Sequence, residues 1–148
     1  MAELVELPSV PRFIVRGSGG ALGLPDEPCR SEGDWALWLG PDEWLLLDPG
    51  EHVRAVEGCV VVDVSHRQVG LELRGADAAM LLNGAVALDL SERAFPVGMC
   101  TRTLFEKAEI VLWRRRPETW RIEVARSYTP YVRALLLAIA AADGTALS

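Results

Sequence analysis

Residues 68–84, Gln-Val-Gly-Leu-Glu-Leu-Arg-Gly-Ala-Asp-Ala-Ala-Met-Leu-Leu-Asn-Gly, decide the fold class of the chain. In the first six of these, valine and leucine alternate with glutamine, glycine and glutamate, which is the pattern of a strand with one buried face. Gly75-Ala-Asp77 then begins a helix that continues to Leu82, and Asn83-Gly84 is a typical pair for its C-terminal cap. A strand that passes directly into a helix predicts that both element types share one core.

Upstream of this stretch the sequence predicts four strands and one short helix. Gly40-Pro-Asp-Glu43 separates the second strand from the third as a turn, so these two form a hairpin. The predicted strands are residues 12–16, 35–39, 44–47 and 60–64, and the helix is residues 51–57.

Downstream, the sequence predicts further strands at 88–90 and 101–105, and a hairpin of 109–113 with 120–125. The last element is a helix that extends to about Ala142, with Thr129 as its N-cap, Pro130 in its first turn and Gly144 as its stop. The order of strands, helix, strands, helix predicts an α+β fold with a mixed or antiparallel sheet.

Composition limits the class of protein. The 148 residues are 50% hydrophobic, so we expect one globular domain that spans residues 1–148. The net charge of −6 disfavours a nucleic-acid surface, and the longest apolar run, residues 134–142, is too short to cross a membrane. The first eleven positions hold two acids and no basic residue, unlike a targeting segment, and three cysteines without a C-x-x-C pair fit reduced thiols. We therefore expect a cytoplasmic protein.

Glycines at 17, 19, 20 and 23 follow a predicted strand and suggest a dinucleotide-binding loop. The third glycine of the G-x-G-x-x-G pattern comes one position late, and a proline-containing segment stands where the helix should begin. The sequence also lacks the G-K-[ST] of a phosphate-binding loop. We predict an irregular loop over residues 17–33, with a flexible glycine-rich stretch at 17–23.

Cys59, Asp63 and His66 bring three kinds of metal ligand or catalytic group into a short stretch. Strand alternation places Cys59 and Asp63 on one face and His66 on the other, and His52 has no ligand partner at a recognisable spacing. Metal binding and a Cys–His nucleophile are therefore both disfavoured. The preferred interpretation is a strand end in which Asp63 and Ser65 hold a turn.

The segment Trp113-Arg-Arg-Arg116, with Trp120 and Arg121 beyond it, interleaves aromatic rings with positive charge. Such a patch could bind nucleic acid or another protein. The net acidity of the chain instead favours a simple exposed hairpin tip.

The final helix is apolar nearly all round, with Arg133 as the only charged residue between Tyr131 and Ala142. A surface helix normally has a polar stripe. This helix is therefore either deeply buried or docked on another chain, and Leu136 faces either a partner or the core of its own domain. For the isolated chain we expect exposed apolar surface and a tendency to form homo-oligomers.

Four phrases, in this order, resemble the gamma subunit family of heterotetrameric sarcosine oxidase, and the resemblance covers residues 35–142. The stretch from Asp63 to Leu82 is also similar to folate-binding aminomethyltransferases. The phrases are Trp-Leu-Gly-Pro-Asp-Glu-Trp-Leu at 38–45, Asp-Val-Ser with Leu-Glu-Leu-Arg-Gly-Ala-Asp-Ala and Leu-Leu within 63–82, Asp-Leu and Phe-Pro-Val-Gly within 89–98, and Trp-Arg-Ile-Glu-Val-Ala-Arg-Ser-Tyr at 120–128.

The resemblance implies the aminomethyltransferase folate-binding fold, with two intertwined β-β-α-β-β-β-α-type halves. It implies a complex that oxidises sarcosine to glycine, transfers the one-carbon unit to tetrahydrofolate and forms hydrogen peroxide. The partners would be alpha, beta and delta subunits, which would hold FAD, FMN, NAD, tetrahydrofolate and zinc. For this chain it implies a structural role, and we predict no catalytic, cofactor-binding or metal-binding residue in it.

The sequence is also compatible with two other functions. The first is a stand-alone folate-binding or aminomethyltransferase-like module, which would need a deep cleft with aromatic walls and a carboxylate, Asp63 or Asp77. The second is a gamma-like subunit of a related dehydrogenase for another N-methyl amino acid, which only the substrate of the assembled complex would reveal.

Overall fold

The computed structural model describes residues 1–17, 23–52 and 58–148. Within these ranges the chain forms ten strands, two α-helices and two short 3₁₀ turns at Gly50–His52 and Arg126–Tyr128. The strands are β1 (Glu3–Glu6), β2 (Arg12–Arg16), β3 (Ser31–Glu32), β4 (Ala36–Gly40), β5 (Glu43–Leu47), β6 (Val60–Asp63), β7 (Gln68–Arg74), β8 (Cys100–Phe105), β9 (Ala108–Arg116) and β10 (Thr119–Ala125), and the helices are α1 (Ala78–Asn83) and α2 (Thr129–Asp143).

The first sheet has the order β1-β7-β10-β9-β8, and all of its strand pairs are antiparallel. One face of this sheet and the two helices enclose an apolar core, here called the helix-side core. It consists mainly of Leu71, Leu73, Leu81, Leu82, Phe95, Ile110, Leu112, Trp120, Ile122, Val132, Leu136 and Ala140. The predicted alternation of β7 is confirmed, because Val69, Leu71 and Leu73 all belong to this core.

The second sheet has the order β3-β4-β5-β2-β6 and is also antiparallel. It packs on the other face of the first sheet. The apolar part of this inter-sheet layer consists of Leu37, Leu45, Leu47, Val64, Cys100, Val111 and Trp113. The α+β class with antiparallel sheets is therefore confirmed, including the hairpin of β4 with β5 and that of β9 with β10.

One predicted strand is wrong. Residues 88–90 have no strand pairing, because the Asn83 side chain holds the segment by donating hydrogen bonds to the carbonyls of Val86 (3.3 Å) and Leu88 (2.6 Å). The predicted helix at 51–57 is replaced at its start by the 3₁₀ turn Gly50–His52, and its remaining residues lie outside the described ranges. The strands β1 and β3 are additional to the predictions.

The C-terminal helix begins and ends close to the predicted positions. Thr129 is its first residue and not its N-cap, since the Thr129 hydroxyl donates to the carbonyl of Ala125 at 3.4 Å. Gly144 ends the helix in the left-handed conformation, with φ of 67°, as the sequence predicts. None of the described helices is both long and apolar enough to cross a membrane.

Candidate functional site

The turn after β6 confirms the structural interpretation of Asp63. The Asp63 carboxylate accepts a hydrogen bond from the backbone N–H of Ser65 at 2.9 Å, and the Ser65 hydroxyl accepts one from the backbone N–H of Arg12 at 2.8 Å. Hydrogen bonds from Ser65, first from its side chain and then from its backbone, lower the pKa of Asp63. His66 contributes its backbone carbonyl, which accepts from Arg126 at 3.2 Å. These groups order a turn.

The second candidate carboxylate, Asp77, lies at the start of α1 and forms an ion pair with the terminal ammonium group of Met1. His52 stacks on Trp35, with ring centroids 4.3 Å apart. Over the described ranges, no three His, Cys, Asp or Glu side chains come close enough together to hold a metal ion. Of the glycine-rich segment, residues 18–22 lie outside the described part of the chain, so the predicted loop stays a prediction there.

The prediction of an exposed hairpin tip is correct for Arg116, Pro117 and Glu118, but it is wrong for Arg114 and Arg115, which fold back onto the protein. The Arg114 guanidinium donates to the carbonyls of Leu90 (3.2 Å), Phe95 (2.9 Å) and Pro117 (2.7 Å) and lies 4.7 Å from the centroid of the Trp120 ring. These contacts bury Arg114 and compensate its charge.

The next arginine also folds inward. Arg115 forms ion pairs with Glu72 and Asp34, both at 3.2 Å, and its guanidinium lies over the Trp113 ring. Trp113 itself is buried between the two sheets. The alternation of aromatic and basic residues therefore serves the packing of this chain, and these side chains do not form a nucleic-acid surface.

The inter-sheet layer contains a buried arginine–glutamate cluster, which consists of Arg12, Arg121 and Glu123. Arg12 of the second sheet donates from Nε to Glu123 Oε1 at 2.5 Å, and Arg121 of the first sheet donates from Nε to Glu123 Oε2 at 3.0 Å. The side chains of Arg12 and Glu123 are each only 1% exposed. This cluster was not among the predictions made from the sequence. Its signal was Arg121 and Glu123 within β10, opposite the apolar face of the strand.

Gly70 makes room for this cluster. It lies directly opposite Glu123 in the pairing of β7 with β10. A Cβ atom at Gly70 would lie 2.6 Å from Glu123 Oε2 and 3.0 Å from Arg121 Nη2. Neither Arg121 Nη2 nor Gln68 Oε1, both buried, has a hydrogen-bond partner among the described residues. The Glu123 carboxylate is already occupied by two arginines, so the cluster fixes the position of one sheet relative to the other rather than supplying a free base.

A cavity of about 180 Å³ lies beside the cluster, between the sheets. Glu109 and Glu123 are the carboxylates on its wall, and Tyr128 is the aromatic residue. Pockets that bury a small molecule usually have about 300–1,000 Å³. Neither Asp63 nor Asp77 lines this cavity. It is therefore a poor match to the deep, carboxylate-bearing cleft that a folate module needs.

Burial also makes the inter-sheet thiol unreactive. Cys100 lies in the inter-sheet layer, and desolvation raises the pKa of its thiol to about 12. The thiolate is the nucleophilic form of cysteine. Cys100 is therefore not a nucleophile at neutral pH.

The outward face of α2 is apolar, as the sequence predicts, while its inward face belongs to the helix-side core. Leu136 is fully buried and Leu137 is 53% exposed, so Leu136 faces the core of its own chain and not a partner. The other exposed residues of α2 are Pro130, Ala134, Ala138, Ala141, Ala142 and, at its last position, Asp143. This helix is therefore partly buried and partly presented to the outside.

A groove of about 540 Å³, here called the α2 groove, lies along this helix. It has an apolar floor and charged residues at its sides. Its lining residues are Glu6, Val69, Arg126, Thr129, Pro130, Arg133, Ala134 and Leu137. It is larger than the cavity of about 180 Å³ between the sheets.

Comparison with known proteins identifies relatives of the whole arrangement. The model of the family described as sarcosine oxidase, gamma subunit family, matches residues 29–143. The sarcosine oxidase subunit gamma of Corynebacterium sp. (strain P-1) is 34% identical over 137 residues, with 79% of this chain and 68% of that protein covered. The subunit gamma of Arthrobacter sp. is 36% identical over 112 residues, with coverages of 68% and 55%. The chain thus spans between about half and two thirds of the length of these curated relatives.

Solved structures agree with the sequence relatives. A chain of the heterotetrameric sarcosine oxidase from Corynebacterium sp. U-96, in complex with pyrrole 2-carboxylate, has a TM-score of 0.81 and 30% identity, with 94% of this chain and 84% of that chain covered. The glycine cleavage system aminomethyltransferase T from Bartonella henselae has a TM-score of 0.68 at 14% identity, with coverages of 92% and 45%, which shows a shared fold alone. Because the family model matches residues 29–143, which are most of this chain, the chain belongs to the sarcosine oxidase gamma subunit family.

Proposed function

We propose that this chain is a non-catalytic structural subunit of a heterotetrameric sarcosine oxidase. Such a complex oxidatively demethylates sarcosine to glycine, transfers the one-carbon unit to tetrahydrofolate and forms hydrogen peroxide. The observation that carries the proposal is the likeness, with a TM-score of 0.81, to a chain of a heterotetrameric sarcosine oxidase over 94% of this chain.

The engagement of the candidate acids supports a non-catalytic role. Asp63 is held by Ser65, Asp77 by the ammonium group of Met1, and Glu123 by two arginines. A general base must be able to reach a proton on the substrate. Glu123, whose side chain is 1% exposed, cannot do so, whereas Asp63 is exposed and requires a direct test. These three carboxylates instead stabilise turns, a helix start and the contact between the sheets.

The proposal extends to the surroundings of the chain. Residues 1–148 would form one gamma-like domain of the aminomethyltransferase folate-binding type, with two intertwined halves. Its partners would be the alpha, beta and delta subunits, in the cytoplasm. Those subunits would hold FAD, FMN, NAD, tetrahydrofolate and zinc. The apolar outward face of α2 supports a partner, and it would also cause self-association of the isolated chain.

Co-expression with the other three subunits, followed by purification and a peroxide assay with sarcosine, tests this function. We expect a complex that contains the chain and oxidises sarcosine. Asp63→Asn is the test for catalysis, since it changes the charge and barely the shape. An intact complex whose kcat falls a hundredfold or more would show that Asp63 takes part in the chemistry, and would overturn the non-catalytic role.

A folate-binding module is the second candidate, favoured by the fold likeness to an aminomethyltransferase T. Calorimetric titration of the purified chain with tetrahydrofolate separates the two. Saturable binding by the chain alone supports the module. The related dehydrogenase is tested in the same purified complex, where a preference for another N-methyl amino acid over sarcosine would identify it.

A further inference from the structure

The α2 groove combines an apolar floor with an excess of positive charge. Val69, Ala134 and Leu137 supply the apolar surface, and more than half of Leu137 is exposed. Arg126 and Arg133 supply two cations, and Glu6 supplies one anion. In a chain with a net charge of −6, a groove with a net positive charge is a local exception.

Neither arginine is neutralised by strong contacts. Arg126 donates from Nε to the carbonyl of His66, and it forms no ion pair with a carboxylate in the described part of the chain. Arg133 Nη1 lies 3.9 Å from Glu6 Oε1, beyond hydrogen-bond distance. The same Nη1 atom is buried and has no hydrogen-bond partner among the described residues. This atom cannot be reached from the groove, but the Arg133 side chain is 43% exposed, so its other N–H groups can donate to a carboxylate that enters the groove.

We propose that the α2 groove docks a segment of another subunit that carries an apolar side chain next to a carboxylate. The apolar side chain packs against Ala134 and Leu137, and the carboxylate accepts from Arg126 and Arg133. The inference rests on the proposed function, because the partner is taken from the subunits of the same complex. The positive charge of the groove favours a carboxylate in the bound segment, and the apolar floor favours an apolar side chain next to that carboxylate.

The same features argue against other occupants. A symmetric contact between two copies of this groove would bring four arginines together with only two glutamates, which is repulsive. A nucleic acid would satisfy the arginines but not the apolar floor. A protein segment with both chemistries fits best.

The experiment compares two double variants that change the net charge equally. Arg126→Glu with Arg133→Glu reverses the groove. Arg93→Glu with Arg116→Glu reverses two exposed arginines away from it. Each is co-expressed with the other three subunits, and the dissociation constant of the chain from the purified complex is measured. We expect the groove variant to weaken binding at least about thirtyfold and the control to match the wild type within about twofold.

Melting curves of the isolated variants and the milder pair Arg126→Gln with Arg133→Gln keep folding and binding separate. We expect the milder pair to melt like the wild type and still to lose about tenfold in affinity or more. Native melting with unchanged affinity in this pair, or equal losses in both charge-reversal variants, would overturn the groove proposal. So would a self-dimer of the isolated chain that the groove variant abolishes while the complex forms normally. If the wild-type chain does not join the complex at all, the proposed function itself fails.

Discussion

The two faces of the first sheet are both buried, but they are buried in different ways. On the helix side, Ile122 and Val124 of β10 pack in the apolar helix-side core and need no specific partner. On the other side, Arg121 and Glu123 of the same strand meet Arg12 of the second sheet. The alternation of one strand thus supplies an apolar core to one face and a charged contact to the other.

The two faces should tolerate substitutions differently. Apolar burial stabilises the fold by about 25 cal/mol per Å² of buried apolar surface. An apolar core tolerates substitutions that conserve the side-chain volume. A buried ion cluster is stable only while its partners are all present, because removing one leaves an uncompensated charge. The helix-side core should therefore accept conservative substitutions, whereas the inter-sheet cluster should not.

The largest effect is expected from Leu136→Glu, which places a charge in the helix-side core where Leu136 is 0% exposed. We expect the free energy of unfolding to fall by about 4 kcal/mol or more, which lowers the melting temperature by about 10 °C or more. Leu137→Glu, one position along α2, is the control and should change stability by about 0.5 kcal/mol or less. Thermal melts followed by circular dichroism measure both. Similar melts for the two variants would contradict the assignment of the inward and outward faces of α2.

Glu123→Gln tests the inter-sheet face. Removal of the charge leaves Arg12 and Arg121 buried together without their anion. We therefore expect the free energy of unfolding to fall by about 3–5 kcal/mol. Glu109→Gln makes the same chemical change at an exposed pair with Arg102, and should cost less than about 1 kcal/mol. Urea unfolding curves give both values.

A variant that replaces the whole cluster sharpens this test. Arg12→Met, Arg121→Met and Glu123→Leu together remove every charge, so they should restore much of the stability that Glu123→Gln loses. If the triple variant is as unstable as the single one, shape and not charge compensation controls this face.

Gly70→Ala should have a smaller effect, about 1–3 kcal/mol, because the added Cβ meets the ends of Glu123, Arg121 and Arg12. Gly40→Ala is a suitable control, since the nearest atom to its Cβ would be 3.9 Å away. Urea unfolding at constant pH compares the two. Equal stability would mean that the cluster can move away from β7 at no cost.

The smallest perturbation is a chemical probe of the closed inter-sheet layer. With a pKa of about 12 against an ordinary 9.0, the Cys100 thiol should react with iodoacetamide at pH 8 about a thousandfold more slowly than an exposed thiol. The raised pKa means that the native state holds this proton more tightly than the unfolded state, so this contribution to stability is lost as the pH rises above about 9. Peptide mass spectrometry measures the rate, and rapid labelling of Cys100 in the folded chain would contradict a closed layer.

Most of the helices and strands could be predicted from the sequence alone. Three features depend on residues only a few positions apart: the alternation in β7, the helix that follows it and the helix end at Gly144. Their patterns can therefore be recognised in the sequence without knowledge of the fold. The family phrases were legible for the same reason. The strand predicted at 88–90 was wrong because the Asn83 side chain donates hydrogen bonds to the carbonyls of Val86 and Leu88, and the apolar pattern of the segment does not reveal such a side-chain contact.

The contacts between side chains that are distant in sequence became known only from the tertiary structure. Arg12 and Glu123 are 111 positions apart, and nothing local marks them as partners. Arg114 looked exposed because arginine next to a turn usually is, yet carbonyls from other segments and the Trp120 ring bury it. Leu136 and Leu137 are the same residue type in one helix, and only packing against the first sheet separates core from surface. Periodicity acts within an element, whereas burial and charge pairing depend on how the elements assemble.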